Sequence, residues 1–296
     1  MTEPGPRRET QVASDGYPIH VAVWPVPEGT LVRGRVVVLH GVQSHGGWYH
    51  RLGRTLAEAG YEAHFPDRRG SGANRADRGH APSAHRLLDD LAEYLQSLRT
   101  RAPGTPIALA GISWGAKLAV LTAGKHPELV DALALICPGL HPRVGVPFGE
   151  RLRIAWAWLT DRRKAFSIPL SDPALFTASP EGQAFIAADR LGLHAGTAGL
   201  LAASTLIDAM LRRIPSRVRQ PVLLMLAGQD RIVDNDRTRA YVDALASTRR
   251  QVIEYPEGHH TLEFEPDPSR YARDLIGWLD RQLAANVAGA ERVPSG

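Results

Sequence analysis

Two runs in this chain are apolar without interruption, Val36-Val37-Val38-Leu39 and Val222-Leu223-Leu224-Met225-Leu226. A strand with one wet face alternates apolar and polar residues. A strand apolar at every position has both faces covered, which is the condition of a parallel sheet held between helices. The surrounding rhythm agrees. Val36 to Leu39 precedes a helical pattern from about Trp48 to Ala59, Tyr61 to Phe65 precedes Ser83 to Arg99, and Ile107 to Ala110 precedes Ser113 to Lys125. After a gap the alternation resumes with Val222 to Leu226, a helix near Asp234 to Ala246, Gln251 to Tyr255 and a last helix near Pro268 to Ala284. The expected class is α/β, a mostly parallel central sheet with helices on both faces.

The gap holds proline-marked turns and helical patterns but no convincing strand, so it reads as an inserted helical cap. The expected organisation is a core of residues 1–137 and 220–285, a helical cap over 138–219, and a loose tail over 286–296 with little to bury. Within the cap Phe148, Leu152, Ala155, Trp156 and Leu159 recur at helical spacing, with Arg151, Arg153, Arg162 and Arg163 on other faces. This stretch reads first as a helix packing on its own domain. Its second reading is a surface in transient contact with lipid.

Composition narrows the class of function. Apolar content of 44% with 22% charged residues is the mix of a soluble globular protein, and no uncharged stretch is long enough to span a bilayer. The net charge of +4 is carried by scattered arginines without a zinc finger or an aromatic ribonucleoprotein motif, so no nucleic-acid partner is expected. Met1 to Gln11 lack the apolar segment of a secretory signal, which makes a cytoplasmic location the expectation. Cys137 is the single cysteine, which excludes an internal disulfide and a multi-cysteine metal site, and its apolar setting reads as a buried, inert thiol.

The chemistry starts at Gly111-Ile112-Ser113-Trp114-Gly115, between the apolar run ending at Ala110 and the helix-like segment from Ala116. A serine lifted out of a tight strand-to-helix turn takes strained backbone angles, and flanking glycines let neighbouring segments approach without a Cβ clash. A serine hydroxyl is a weak nucleophile at neutral pH. It needs a base to accept its proton and a carboxylate to orient that base. Asp230 lies just beyond the Val222 to Leu226 run, whereas Asp234 and Asp236 suit the first turn of the next helix. Of the twelve histidines, the adjacent pair His259 and His260 occupies the loop after the following strand, and side-chain physics alone leaves the choice between them open. Attack on a carbonyl also needs donors for the developing oxyanion. The backbone N–H groups of Trp114 and of Val42, in the loop after the first core strand, are the candidates, with His40 bracing that loop.

Five segments together resemble the α/β-hydrolase superfamily, most closely its lysophospholipase and monoacylglycerol lipase-like serine hydrolases. They are His40-Gly41-Val42-Gln43-Ser44-His45-Gly46-Gly47-Trp48-Tyr49, Asp67-Arg68-Arg69-Gly70-Ser71-Gly72, the Ser113 turn, Gly228-Gln229-Asp230-Arg231-Ile232-Val233-Asp234 and His260-Thr261-Leu262-Glu263-Phe264-Glu265. The resemblance covers roughly Val36 to Leu279. It implies an α/β-hydrolase fold and assigns the histidine to His260, because that branch places leucine two positions and an acid five positions after it, as Leu262 and Glu265 stand here. Asp67 then reads as a loop brace.

The expected function is a serine hydrolase cleaving a small hydrophobic acyl ester, such as a monoacylglycerol or lysophospholipid, through an acyl-enzyme formed on Ser113 with His260 and Asp230. Peptidase, thioesterase and acyltransferase chemistry use the same trio, and a non-catalytic ligand-binding protein on this fold is a further alternative. Trp156, Trp158, Phe166, Phe176 and Phe185 are candidate pocket-wall residues, or simply the core of the cap. No metal or organic cofactor is implied, since the chain supplies nucleophile, base and charge stabiliser.

Overall fold

The computed structural model describes residues 5–290. Its first half runs β1 (Arg7–Val12), β2 (Pro18–Trp24), β3 (Gly34–Leu39), α1 (His50–Glu58), β4 (Tyr61–Pro66), α2 (Ala84–Arg101), β5 (Ile107–Ile112), α3 (Gly115–Lys125) and β6 (Ala132–Ile136). The second half runs α4 (Phe148–Thr160), β7 (Ala165–Ser167), α5 (Pro180–Ala188), β8 (Ala195–Thr197), α6 (Ala198–Leu211), β9 (Val222–Ala227), α7 (Asn235–Asp243), β10 (Arg250–Tyr255) and α8 (Pro268–Ala290). An eight-stranded sheet has the order β1-β2-β4-β3-β5-β6-β9-β10. It is parallel from β4 to β10, and β2 pairs antiparallel with both β1 and β4.

The uninterrupted apolar strands divide their side chains between two cores. Val37, Leu39, Leu109, Leu133, Leu135, Leu224 and Leu226 point into one core with Leu87, Leu91 and Leu95 of α2 and Leu118 and Leu121 of α3. Val36, Val38, Ala108, Ala110, Ala132, Ala134, Leu223 and Met225 point into the other with Leu52 and Leu56 of α1 and Leu275, Trp278 and Leu279 of α8. The alternation is the two-residue period of a pleated strand with a dry layer on each face. On the second face, alanines of β5 and β6 sit opposite bulky side chains such as the fully buried Trp278, so small residues make room for large ones.

The structure adds to these expectations and corrects some of them. β1 and β2, antiparallel at the sheet edge, lie outside the βαβ rhythm, and β6 is a full strand within the apolar run that ends at Cys137. The expected all-helical insertion contains a small antiparallel sheet, Phe166 opposite Gly196. Its helix α6 is not a separate roof, because Leu200, Ala203, Ile207 and Leu211 join the core formed with α2 and α3. Finally, α8 continues to Ala290, so residues 286–290 of the supposed loose tail are helical, and the remainder lies outside the described residues.

α4 departs from the reading as a helix packed on its own domain. Ile154 and Ala157 are buried, but Phe148, Leu152, Trp156 and Leu159 are 57% to 76% exposed. Spaced four and three apart, they form one apolar stripe facing outward. Among the described residues no helix is long and apolar enough to cross a membrane.

Candidate active site

Parallel strands deliver their carboxyl ends to one edge of the sheet, where ligands of open α/β sheets bind. Ser113 follows β5 directly, Asp230 stands beyond the end of β9, and His260 lies in the loop after β10. The pairing of Ala227 with Tyr255 sets the last two loops side by side.

The Ser113 turn needs both of its glycines. A Cβ on Gly111 would fall 2.4 Å from Ala116 Cα, and one on Gly115 would fall 2.4 Å from the Leu39 carbonyl oxygen. Ser113 itself has a φ of 51°, a left-handed conformation that costs a non-glycine residue on the order of 1–2 kcal/mol. Its N–H donates to Ile136 O at 3.1 Å and its carbonyl accepts from Gly139 N–H at 2.8 Å, so neighbouring segments hold the strain in place.

His260 is buried, with Nε2 2.9 Å from Ser113 Oγ and Nδ1 2.7 Å from Asp230 Oδ2. The other carboxylate oxygen of Asp230 accepts from the N–H groups of Ile232 (2.8 Å) and Val233 (2.9 Å). A carboxylate only accepts, so His260 carries its proton on Nδ1, and Nε2 presents a lone pair to the serine hydroxyl. Asp234 is the N-cap of α7, accepting from Arg237 N–H at 3.0 Å. His259 is held elsewhere: Glu265 Oε1 lies 3.1 Å from both its N–H and its Nδ1.

The loop after β3 closes over Ser113. A Cβ on Gly41 would come within 3.3 Å of Ser113 Cβ, so this loop runs close against Ser113, and Val42 lines the same cleft. His40 sits behind this loop. Its Nε2 accepts from Arg68 N–H at 2.9 Å, which leaves the proton on Nδ1 to donate to Gly41 O at 2.8 Å. Burial and the Arg68 guanidinium hold this imidazole well below its usual value, and it stays neutral. Asp67 braces two loops, accepting from Gly46 N–H and Ala73 N–H at 2.8 Å each. Cys137 is fully buried, and burial pushes its thiol up.

A narrow cleft opens at Ser113, lined in part by Val42, Trp48, Ile112, Leu170, Phe176 and Thr261. Of the aromatic residues expected at its wall, Phe176 is there, edge-on to His260 with ring centroids 6.0 Å apart. Phe185 stands one layer out against Trp48 and Phe264. Phe166 is buried with Ile154 and Ala157 between α4 and α6. Trp156 and Trp158 face outward, the latter stacked under Arg162. Sequence spacing places residues on a helix face without saying which face looks inward. Trp48 and Leu170 are wall residues that the sequence reading missed, and Asp189, which accepts from Trp48 Nε1 at 2.7 Å, is a cap residue fixing that wall. Among the described residues no group of His, Cys, Asp and Glu is placed to hold a metal ion.

A mostly parallel sheet with a serine on a strained turn, and an acid and a histidine at later strand ends, defines an α/β-hydrolase. The chain belongs to the hydrolase family described as serine aminopeptidase, S33, which matches residues 30–267. It is 26% identical over 278 residues to the monoacylglycerol lipase of Mycolicibacterium smegmatis, covering 90% of this chain and 95% of that protein. The monoglyceride lipase of Rattus norvegicus is 23% identical over 288 residues, covering 96% and 93%. In fold it is similar to a soluble variant of the Saccharomyces cerevisiae monoglyceride lipase solved with a substrate analogue. That match has a TM-score of 0.84 at 21% identity and covers 95% of this chain and 97% of that one.

Proposed function

We propose that the protein is a serine esterase that cleaves a hydrophobic acyl ester, of the monoacylglycerol or lysophospholipid class, through an acyl-enzyme. The observation that carries this reading is the unbroken line of hydrogen bonds from Asp230 through His260 to Ser113 at the mouth of an apolar cavity. Ser113 Oγ attacks the ester carbonyl as its proton passes to His260 Nε2. The Val42 and Trp114 N–H groups receive the oxyanion, and His260 returns the proton to the departing alcohol. Water, deprotonated by the same imidazole, then frees the acid. Among the described residues lining the cleft there is no carboxylate to receive the free amino group of a peptide, which favours an ester over an N-terminal peptide substrate. The full-length relatives named for monoacylglycerol and monoglyceride hydrolysis support the same class.

The outward stripe of α4, flanked by Arg151, Arg153, Arg162 and Arg163, supports contact with a lipid surface during substrate capture. The decisive experiment pairs a p-nitrophenyl ester chain-length series and a monoacylglycerol assay with fluorophosphonate labelling of wild type and Ser113→Ala. Hydrolysis and labelling that both vanish in the variant are expected. Labelling that persists without Ser113 overturns the reading.

A further inference from the structure

Arg68 is an unusual residue to find where it is. It follows β4, is only 9% exposed, and its Nε is buried without a hydrogen-bond partner. Among the described residues no carboxylate hydrogen-bonds it, and the neighbouring Asp67 is committed to Gly46 and Ala73. Burial lowers its guanidinium to about 10, so at neutral pH it remains a cation. The Asp67 carboxylate attracts this charge without touching it, and a buried cation with no hydrogen-bonded carboxylate is costly unless fixed dipoles replace its water. Here the replacements are two consecutive backbone carbonyls and an indole face. Nη1 donates to Gly41 O at 3.3 Å, Nη2 donates to Val42 O at 3.0 Å, and the guanidinium carbon lies 4.8 Å from the ring centroid of Trp114.

Val42 and Trp114 are the residues whose N–H groups are proposed to receive the oxyanion, and Gly41 O belongs to the peptide that carries Val42 N–H. A trans peptide points its C=O and the next N–H in opposite directions. Drawing Gly41 O toward Arg68 therefore aims Val42 N–H the other way, and the cation polarises that peptide so that its N–H is a better donor. The Trp114 indole is gripped on its face by the cation and at its edge by Ser204 Oγ of α6, which accepts from Nε1 at 2.9 Å. Its backbone at the head of α3 is fixed in consequence. We infer that Arg68 is a positioning residue that aims both oxyanion donors from behind, one through a carbonyl fork and one through a cation–π contact.

This inference rests on the esterase reading above, and its test is built to fail separately. Arg68→Met keeps the apolar stem and removes the cation, and Arg68→Lys keeps the charge and loses the fork. Both are compared with wild type for kcat and KM on p-nitrophenyl butyrate, for inhibition by a butylboronic acid whose tetrahedral serine adduct occupies the oxyanion position, and for melting temperature. Removing a whole oxyanion donor costs about 10²–10³-fold in kcat, and misaiming donors costs less. Arg68→Met is expected to lose about 10–100-fold in kcat, with KM within about threefold and boronate affinity falling in parallel with kcat/KM. Arg68→Lys should fall between Met and wild type. A folded Met variant with kcat within about threefold of wild type, or a fall in kcat with boronate affinity unchanged, overturns the proposal. Should Arg68→Met not fold, Arg68→Lys decides by the same two readouts, a parallel loss of at least about fivefold being required. Absence of any Ser113-dependent hydrolysis in the wild type would instead strike the esterase reading itself.

Discussion

Replacing Asp230 by asparagine changes one atom and reverses the direction of a proton path. The Asp230 oxygen that receives two backbone N–H groups, from Ile232 and Val233, must remain an oxygen, because an amide nitrogen there would face two donors. In Asp230→Asn the side-chain NH2 therefore turns toward His260 Nδ1, 2.7 Å away in the wild type, and donates to it. Nδ1 becomes the acceptor, the imidazole proton moves to Nε2, and it points at Ser113 Oγ, 2.9 Å away, where a lone pair is needed. In the proposed mechanism this removes the general base without displacing a heavy atom. A serine trio deprived of its base by this tautomer change loses about 10³–10⁴-fold in kcat/KM, on the order of 4–5.5 kcal/mol of transition-state stabilisation. Stability should change far less, by about 1 kcal/mol, since the backbone bonds survive. The assay is kcat/KM on p-nitrophenyl butyrate with a thermal melt, and Asp234→Asn serves as control. Asparagine caps a helix as well as aspartate does, so the α7 cap survives there and activity should stay within about twofold. A well-folded Asp230→Asn losing less than about tenfold, or no more than Asp234→Asn, would refute the reasoning.

A second expectation concerns Glu263, buried in the loop that carries His260 and hydrogen-bonded by Arg51 N–H (2.8 Å), Leu52 N–H and the Tyr271 hydroxyl. Burial raises its carboxyl to about 7 against the pull of those donors. The folded state then binds more protons than the unfolded state between about pH 4.5 and 7, so stability falls as pH rises through that window, by on the order of 3 kcal/mol. Glu263→Gln should flatten the fall, and urea midpoints at pH 5 and pH 8 that drop equally in both proteins would contradict it. A third concerns α4. Trp156 is 69% exposed, so Trp156→Ser together with Leu152→Ser should alter stability by less than about 1 kcal/mol while lowering co-sedimentation with phospholipid vesicles several-fold. Vesicle binding equal to that of the wild type would remove lipid contact from the account of α4.

What the sequence discloses follows the reach of each interaction. The fully apolar β3 and β9 declare their burial on both faces, and the elbow glycines declare a close approach that the structure supplies as the backbone of Ala116 and Leu39. Asp230 and His260 are legible because strand order sends their loops to the same edge. The choice of His260 over His259 comes from the register of Leu262 and Glu265 in the resemblance, whereas the contact by which Glu265 holds His259 aside is visible only in the fold. β2 carries a readable signal, Ile19, Val21 and Val23 at a spacing of two, that the search for βαβ units passes over. The insertion is least legible. α4 and α6 both show helical apolar spacing, yet one faces outward and the other enters the main core, because that outcome depends on the surfaces of α2 and α3 against which α6 can close. Arg68 is hidden for the same reason, since its partners are backbone carbonyls and an indole from distant segments.

The anchoring of α6 sets the terms for anyone who would re-engineer this molecule's choice of guest. Its Leu200, Ala203, Ile207 and Leu211 are part of the central core, and its Ser204 and Asp208 clasp Trp114 and Lys117 of the elbow and α3. A transplant of the whole insertion would uproot the scaffold together with its roof. An exchange confined to Phe148–Thr160, where only Ile154 and Ala157 are buried, leaves those roots in the ground and makes the outer helix the interchangeable piece.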